Sequence, residues 1–355
     1  MMEYDVFKTE LAETLGSKGY DVGYREVRKN NGVSYDGLYL KDAVFTPVIN
    51  IKPFYDMYEA GEEDIFSLSE ELTEYFAGYS LTRKPDIDIG LLLRSQNPQI
   101  YATLLNRREN EDLLKTLPHR DFLDMSLIYY IDLGPGHGLA KLSSKMMEEY
   151  GFTEDRLYDI ARKNMLETGY AQCKDIMSSM TGTPGLDALS DKEVTPDQIY
   201  VLPNTDLVNG SGLAAMPELI QQISQNIGDD VYVLPSSVHE VLICPSGYLG
   251  EKDPAFLQQL VREVNGSVVE KQDQLTESIY FYDRNERTIS IAIPQYEEDR
   301  NLKAFEEERE KSSRIEMDPK DLAPQQEYRF EHEEYISNDS VPEQERKHNG
   351  PDLTP

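Results

Sequence analysis

Apolar residues at Phe7, Leu11 and Leu15 recur at helical spacing after Tyr4, and Gly16 and Gly19 follow as stop signals, so the chain is predicted to open on a helix. The next two runs, YDVGYREVRK and VSYDGLYLKD, flank Asn30, Asn31 and Gly32, residues that tolerate positive φ, and read as a hairpin. A third strand is expected in TPVINIKPF. Ile65, Leu68, Leu72, Tyr75, Phe76 and Tyr79 then form one apolar helical face, with Ser67 and Glu70 fitting a capping box.

Pro85 and DIDIG end that helix. IYATLLNR follows as a strand, RENEDLLKTL as a short helix, and MSLIYYIDL as a buried strand, before GPGHG at 134–138 turns the chain. Thr153 precedes a helix with Leu157, Ile160, Ala161 and Met165 on one face. The Gly, Pro, Asp and Thr of residues 181–196 show no periodicity and are expected to form a lobe boundary. Later, Asp253 and Pro254 start a helix striped by Phe256, Leu257, Leu260, Val261 and Val264, with Gly266 as its stop. SIYFYDRNERTISIAI then closes the body as a hairpin.

Residues 199–245 contain two near-copies of one phrase, IYVLPN and VYVLPSS, each a short strand stopped by proline. Between them lie NGSG at 209–212 and a helix starting near Pro217. The polar groups just past each strand are the candidate ligand or partner site: Asn204, Thr205, Asp206 and Asn209 after the first, and Ser236, Ser237, His239 and Glu240 after the second. Together these readings predict an α+β fold, with mainly antiparallel sheets and flanking helices over residues 1–296. The remaining 297–355 form a charged tail, partly helical and then disordered, because its apolar residues are too sparse to offset ordering entropy.

Composition narrows function by exclusion. The 66 acidic residues outnumber 35 basic ones, for a net charge of -31, which repels phosphate backbones and anionic lipid. Nucleic acid and membrane surfaces are therefore not expected as partners, although so acidic a chain could also imitate a polyanion. The two cysteines, Cys173 and Cys244, form no CxxC pair, and no histidine pair has zinc spacing, so neither a metal nor a cofactor is expected. The N-terminus does not read as a signal peptide. No run approaches the ~18 apolar residues of a membrane-crossing helix, and a cytoplasmic location is expected.

The chemistry stays open between classes. Ser236 or Ser237, His239, and Glu240 or Asp206 supply the residue types of a nucleophile, its base and an orienting carboxylate, but no G-x-S-x-G elbow surrounds the serines. Turn-forming serines beside a histidine at a strand start are the commoner arrangement. NGSG could turn backbone amides toward an anion at the helix that follows it. Asp86 and Asp88 alternate along a run that could be a strand. The basic clusters Arg25, Arg28 and Lys29, and Arg107 and Arg108, read as solvated faces. The expected function is a binding or regulatory protein acting on an unknown protein partner or small molecule, and a hydrolase is the alternative.

The run PSSVHEVL at 235–242, preceded by YVLPNTDLVNGSGLAAM, resembles the signature of an uncharacterised bacterial family of unknown function. A second segment, EEYGFTEDRLYDIARKNM, is similar to part of another uncharacterised family, in which a glutamate, an aromatic and a glycine (here Glu149, Tyr150 and Gly151) precede a helix ending in alanine and asparagine (Ala161 and Asn164). The resemblance covers roughly residues 1–295 and omits the tail. It implies a bacterial cytosolic protein and names no reaction.

Overall fold

Among the described residues of the computed structural model, every strand pairing is antiparallel. The structure describes residues 2–41, 45–81, 88–134, 138–191, 193–250 and 253–296, and the backbone alone for 45–47, 78–81 and 335–337. Helix α1 (Tyr4–Ser17) packs on the hairpin β1 (Val22–Arg28) and β2 (Ser34–Leu40), burying Phe7, Leu11 and Leu15 as the spacing predicts.

The strand expected in TPVINIKPF ends early. Phe45–Pro47 (β3) and Ile49–Asn50 (β4) are extended, and the chain turns at Lys52 into helix α2 (Lys52–Ala60). Pro53 lies in the first turn of α2, where its missing N–H costs nothing, and Asn50 Oδ1 accepts the Lys52 N–H at 3.1 Å. Helix α3 (Ile65–Leu81) buries Leu68, Leu72 and Phe76 against α1. Its cap is Asp64, whose Oδ1 accepts the Ser67 N–H at 2.8 Å, so Ser67 stands inside the helix and is not its cap. These elements enclose their own core around the sheet β1-β2-β4.

Asp88 caps a short helix, α4 (Ile89–Leu93), by accepting from Leu91 N–H at 3.0 Å, which corrects the strand expected there; Asp86 lies outside the described residues. A second sheet is built on β7 (Met125–Asp132). One edge of β7 pairs along its length with β5 (Ile100–Asn106). Its other edge pairs with β6 (His119–Phe122) at one end and β8 (Leu139–Lys141) at the other. The antiparallel strands β7 and β8 stand on either side of the turn expected at 134–138, of which 135–137 lie outside the described residues. Buried on both faces, β7 is almost continuously apolar, which is why its sequence does not alternate.

A short helix α6 (Ser144–Glu149) follows α5 (Glu111–Leu114) in helix order, and α7 (Glu154–Met165) packs on β5. Thr153 caps α7, with Glu154 and Asp155 in its first turn and Arg162 and Lys163 in its last, so side-chain charge opposes the helix dipole at both ends.

The third sheet has six strands: β9 (Lys174–Asp175), β10 (Tyr200–Pro203), β11 (Val231–Leu234), β12 (Glu240–Pro245), β13 (Ile279–Asp283) and β14 (Thr288–Ile293). Their order is β14-β13-β11-β12-β10-β9. Helices α8 (Ile176–Thr181), α9 (Pro217–Ile227), α10 (Ser246–Leu249) and α11 (Ala255–Ser267) connect or flank them. The hairpin β13–β14 forms where predicted, and α11 buries Leu257 and Val261. Ala188 and Val194, within the 181–196 segment, belong to the large core shared by the second and third sheets. The segment 297–355, expected to be a disordered tail, lies outside the described residues, except that the backbone of Tyr335–Ser337 pairs with β3.

Candidate functional site

The two VLP strands, β10 and β11, lie on either side of β12 and both run antiparallel to it. Two strands antiparallel to one neighbour are parallel to each other, so their C-terminal ends emerge at the same end of the sheet. The loop after β10 therefore meets the loop after β11. Gly210 N–H donates to His239 C=O at 2.9 Å and Ser211 N–H to Val238 C=O at 3.1 Å, which locks the two together.

These bonds settle the chemistry of NGSG. Its amides point at protein carbonyls, and Asn209 N–H faces His239 Nδ1 at 3.4 Å. The anion cradle considered from sequence is corrected for Asn209, Gly210 and Ser211, whose amides are already used. The glycines serve close packing: a Cβ on Gly212 would lie 2.2 Å from Ala102 C=O, and one on Gly210 2.5 Å from His239 C=O. Ser211 Oγ accepts Leu104 N–H at 3.1 Å and shares a hydrogen bond with Thr103 Oγ1 at 3.0 Å, tying this loop to β5.

A cavity of about 290 Å³ opens where these loops face the second sheet. Register decides its floor: Thr103 stands opposite Ile128 and Tyr130 opposite Lys141, so alternate residues of β5, β7 and β8 share one face. Val208 and Asn209 contribute one wall, Val238 and His239 a second, and Gln272 and Asp273 a third. The remaining wall is Lys29 and Asn30, from the turn between β1 and β2. Lys141 Nζ donates to Asn30 Oδ1 at 3.1 Å.

Asn31 brings that turn to the cavity. With φ of 58°, it donates from Nδ2 to Lys271 C=O at 2.6 Å and Gln274 C=O at 2.7 Å, and its N–H reaches Asn110 Oδ1 at 2.8 Å. Asn106 extends the network to Leu275 C=O at 2.6 Å. Lys29 is therefore half-buried at a cavity wall, which corrects its reading as part of a solvated face. Arg107 departs from that reading too, donating to Leu123 C=O at 2.5 Å and Met125 C=O at 2.9 Å.

Of the eight residues singled out in the sequence, Asn209 and His239 line the cavity. His239 Nε2 lies 3.6 Å from Asp273 Oδ1, and its Nδ1 accepts from Asn209 N–H, so the arrangement selects the Nε2–H tautomer. Asn204 is buried and organises its own loop, donating to Val208 C=O at 2.7 Å and to the Tyr170 hydroxyl at 3.2 Å. Thr205 N–H bonds Tyr170 C=O at 2.8 Å. Ser236 and Ser237 are buried and do not line the cavity. Ser237 Oγ accepts the His239 N–H at 3.1 Å, and Leu275 N–H donates to Ser236 C=O at 3.1 Å. Glu240 begins β12, in register with Pro203.

Asp206 acts electrostatically on a tyrosine stack. Tyr101 lies 4.9 Å from Tyr170, nearly parallel at 11°, and 6.1 Å from Tyr130. Burial pushes the Tyr170 phenol up to about 12, and it pushes Tyr101 and Tyr130 up as well, with the charge of Asp206 adding to each. Among the described residues, no group of three or more His, Cys, Asp or Glu is placed to hold a metal ion.

Lys29, Asn30, Tyr130, Lys141 and Asp273 were not singled out as site residues by sequence reasoning. The Asn-Asn-Gly turn beside Lys29 was the one local signal, and it predicted the turn without predicting where the turn docks.

Fold and site together define an α+β protein of antiparallel sheets with a small polar cavity, closed on one side by an N-terminal hairpin. The chain belongs to a family of unknown function (DUF5688), whose model matches residues 4–284. It is also similar to DNA polymerase IV 1 of Halalkalibacterium halodurans, at 32% identity over 116 residues, 33% of this chain and 25% of that polymerase. The chain thus spans about a quarter of the length of that curated relative. No solved structure matches. Among the described residues, no helix is long and apolar enough to cross a membrane.

Proposed function

We propose that this protein is a small-molecule-binding protein with a regulatory role, whose ligand occupies the cavity beside Asn209 and His239. The observation that carries this reading is convergence: segments near residues 29, 103, 130, 141, 209, 239 and 273 supply polar groups to one concave space that Leu105, Ile128, Leu139, Val208 and Val238 also line, a mixture usual for a ligand site. The volume sits at the small end of such sites, which favours a compact metabolite over a peptide.

The hydrolase alternative is weaker on geometry. It needs a serine hydroxyl directed at the imidazole, whereas Ser237 Oγ takes the His239 backbone N–H. DNA synthesis is not carried over from the polymerase match, which spans a quarter of that protein, and the net charge of -31 opposes a phosphate backbone.

A thermal-shift screen of the full chain against small metabolites tests the binding reading. A ligand at a hundredfold its Kd stabilises by about 2.7 kcal/mol, and this gain is expected to vanish in Leu139→Trp, which fills the cavity. Shifts that persist unchanged in Leu139→Trp, or no shift from any compound, would overturn it.

A further inference from the structure

We infer that the acidic C-terminal segment around Tyr335 is an intramolecular ligand of the N-terminal sheet, seated along β3 with a glutamate carboxylate on Arg25. This goes beyond the cavity reading above and does not depend on it.

Arg25 is the first observation. From sequence it reads as part of a solvated face, yet its terminal nitrogens Nη1 and Nη2 are shielded from solvent, and among the described residues neither meets a hydrogen-bond acceptor. Its Cζ lies 5.1 Å from the centroid of the Tyr39 ring. Among the described residues, the groups acting on its charge are Tyr39 and Tyr35, and no carboxylate is one of them. Burial holds the guanidinium below its usual range. A carboxylate matches the fork of donors on a guanidinium, and it gains more on one that is buried without an acceptor than on an exposed one.

The face around Arg25 is the second. Register sets Arg25 opposite Gly37, so Gly23, Arg25 and Val27 share one face of the sheet with Tyr35, Gly37 and Tyr39, while Val22 and Leu38 pack into the α1 core from the other. Gly37 makes room on the Arg25 face: a Cβ there would clash with Val48 Cγ1. Val48 directly follows β3, and β3 lies against β2, so the chain brings β3 to the Arg25 side of the sheet.

The occupant is the third. The strand β15 (Tyr335–Ser337) pairs its backbone antiparallel with β3, with Tyr335 opposite Pro47 and Ile336 opposite Thr46. Continued by one residue, the same register would set Glu334 opposite Val48, the residue that covers Gly37. Glu331, Glu333 and Glu334 all precede Tyr335, so negative charge is concentrated at the end of the strand nearest Arg25. Residues 294–334 join β14 to β15, a length that would span ~130 Å if extended, so the linking chain does not restrict where the segment docks.

Disulfide trapping in the full chain tests this. Residues directly opposite in an antiparallel pair have Cα atoms about 4.5–5.5 Å apart, within disulfide reach. Under mild oxidation, Thr46→Cys with Ile336→Cys is expected to close a disulfide within the monomer at least about tenfold faster than the control pair Thr46→Cys with Asn349→Cys. Joint replacement of Glu331, Glu333 and Glu334 by glutamine should slow closure about tenfold, as loss of one charge-assisted hydrogen bond would give. In an Arg25→Gln background the same replacement should have no further effect, since the two sites act as one pair. Closure no faster than in the control pair would sink the docking itself. A disulfide-linked dimer in place of the closed monomer would assign the surface to a second copy and overturn the intramolecular reading. Equal slowing by the glutamines with and without Arg25 would remove the carboxylate from Arg25. The first two outcomes are read from the cysteine pairs alone, so they decide the docking even if Arg25→Gln fails to fold.

Discussion

Asn31 and Asn110 hold each other by two hydrogen bonds: Asn31 N–H donates to Asn110 Oδ1 at 2.8 Å, and Asn110 Nδ2 returns one to Asn31 Oδ1 at 2.8 Å. Both residues are buried. This pair, with the Asn31 bonds to Lys271 and Gln274, fixes the N-terminal hairpin against the body and sets the cavity wall formed by Lys29 and Asn30.

Asn31→Gly keeps the left-handed backbone and deletes the side chain, so the Gln274 carbonyl and one Asn110 amide proton lose their partner, while Lys271 C=O keeps Gln274 N–H at 3.4 Å and Asn110 Nδ2 keeps Asn106 C=O at 2.8 Å. A stability loss of about 1–3 kcal/mol for each group left without water is expected in urea unfolding, together with weaker ligand binding. A loss below ~0.5 kcal/mol would mean that the hairpin docks by other contacts.

Gly212→Ala places a methyl group 2.2 Å from the Ala102 carbonyl, a backbone atom that cannot swing aside. Destabilisation of about 1–3 kcal/mol is expected from overpacking, read as a lower melting temperature. Gly266→Ala, where an added Cβ meets nothing within 4 Å, serves as the control and should be neutral or slightly stabilising.

Ser237→Ala removes the acceptor for His239 N–H and should cost about 0.5–1.5 kcal/mol while leaving ligand affinity within twofold. An esterase assay with and without this substitution separates structure from catalysis. Turnover abolished by Ser237→Ala in a folded protein would revive the hydrolase reading.

Burial raises the Asp132 carboxyl above its ordinary range, against the smaller opposing effect of Gly134 N–H, which it accepts at 2.8 Å. The folded protein thus holds this proton more tightly than the unfolded chain does, so this group's contribution to stability falls as pH rises through the carboxylate range and stays low above the folded value. Asn keeps the acceptor without the charge. Asp132→Asn should therefore raise the melting temperature at pH 7, by an amount that shrinks as pH is lowered through that range, and a gain independent of pH would contradict the burial argument.

Cys173 and Cys244 are both fully buried, and burial pushes the Cys173 thiol well up and the Cys244 thiol to about 12. Thiolate, the reactive form, is scarce on both. A chromogenic disulfide reagent at pH 8 should find no fast-reacting thiol in the native protein and two after denaturation. Rapid native labelling would show that the core opens locally.

Elements written in near neighbours were legible from the chain. Phe7, Leu11 and Leu15 define α1; Thr153 and the stripe from Leu157 to Met165 define α7; Asn31 and Gly32 define the turn between β1 and β2. Periodicity and capping act within a few residues, so local sequence encodes them. The same locality explains the errors: TPVINIKPF has strand composition, yet Phe54, Tyr55 and Tyr58 pack on the α1 core only as a helix, with Tyr55 and Phe7 rings 5.3 Å apart.

What the sequence determined by itself, then, is the set of α+β elements and the two matching strands whose loops carry polar groups. Only the tertiary structure decided which of those groups face a common space. Asn209 meets His239 because β10 and β11 share β12, and Lys29 joins them because Asn31 reaches Lys271 across 240 residues. Contacts of that separation depend on sheet order and on how the N-terminal hairpin docks, which are settled by burial and hydrogen-bond satisfaction over the whole chain.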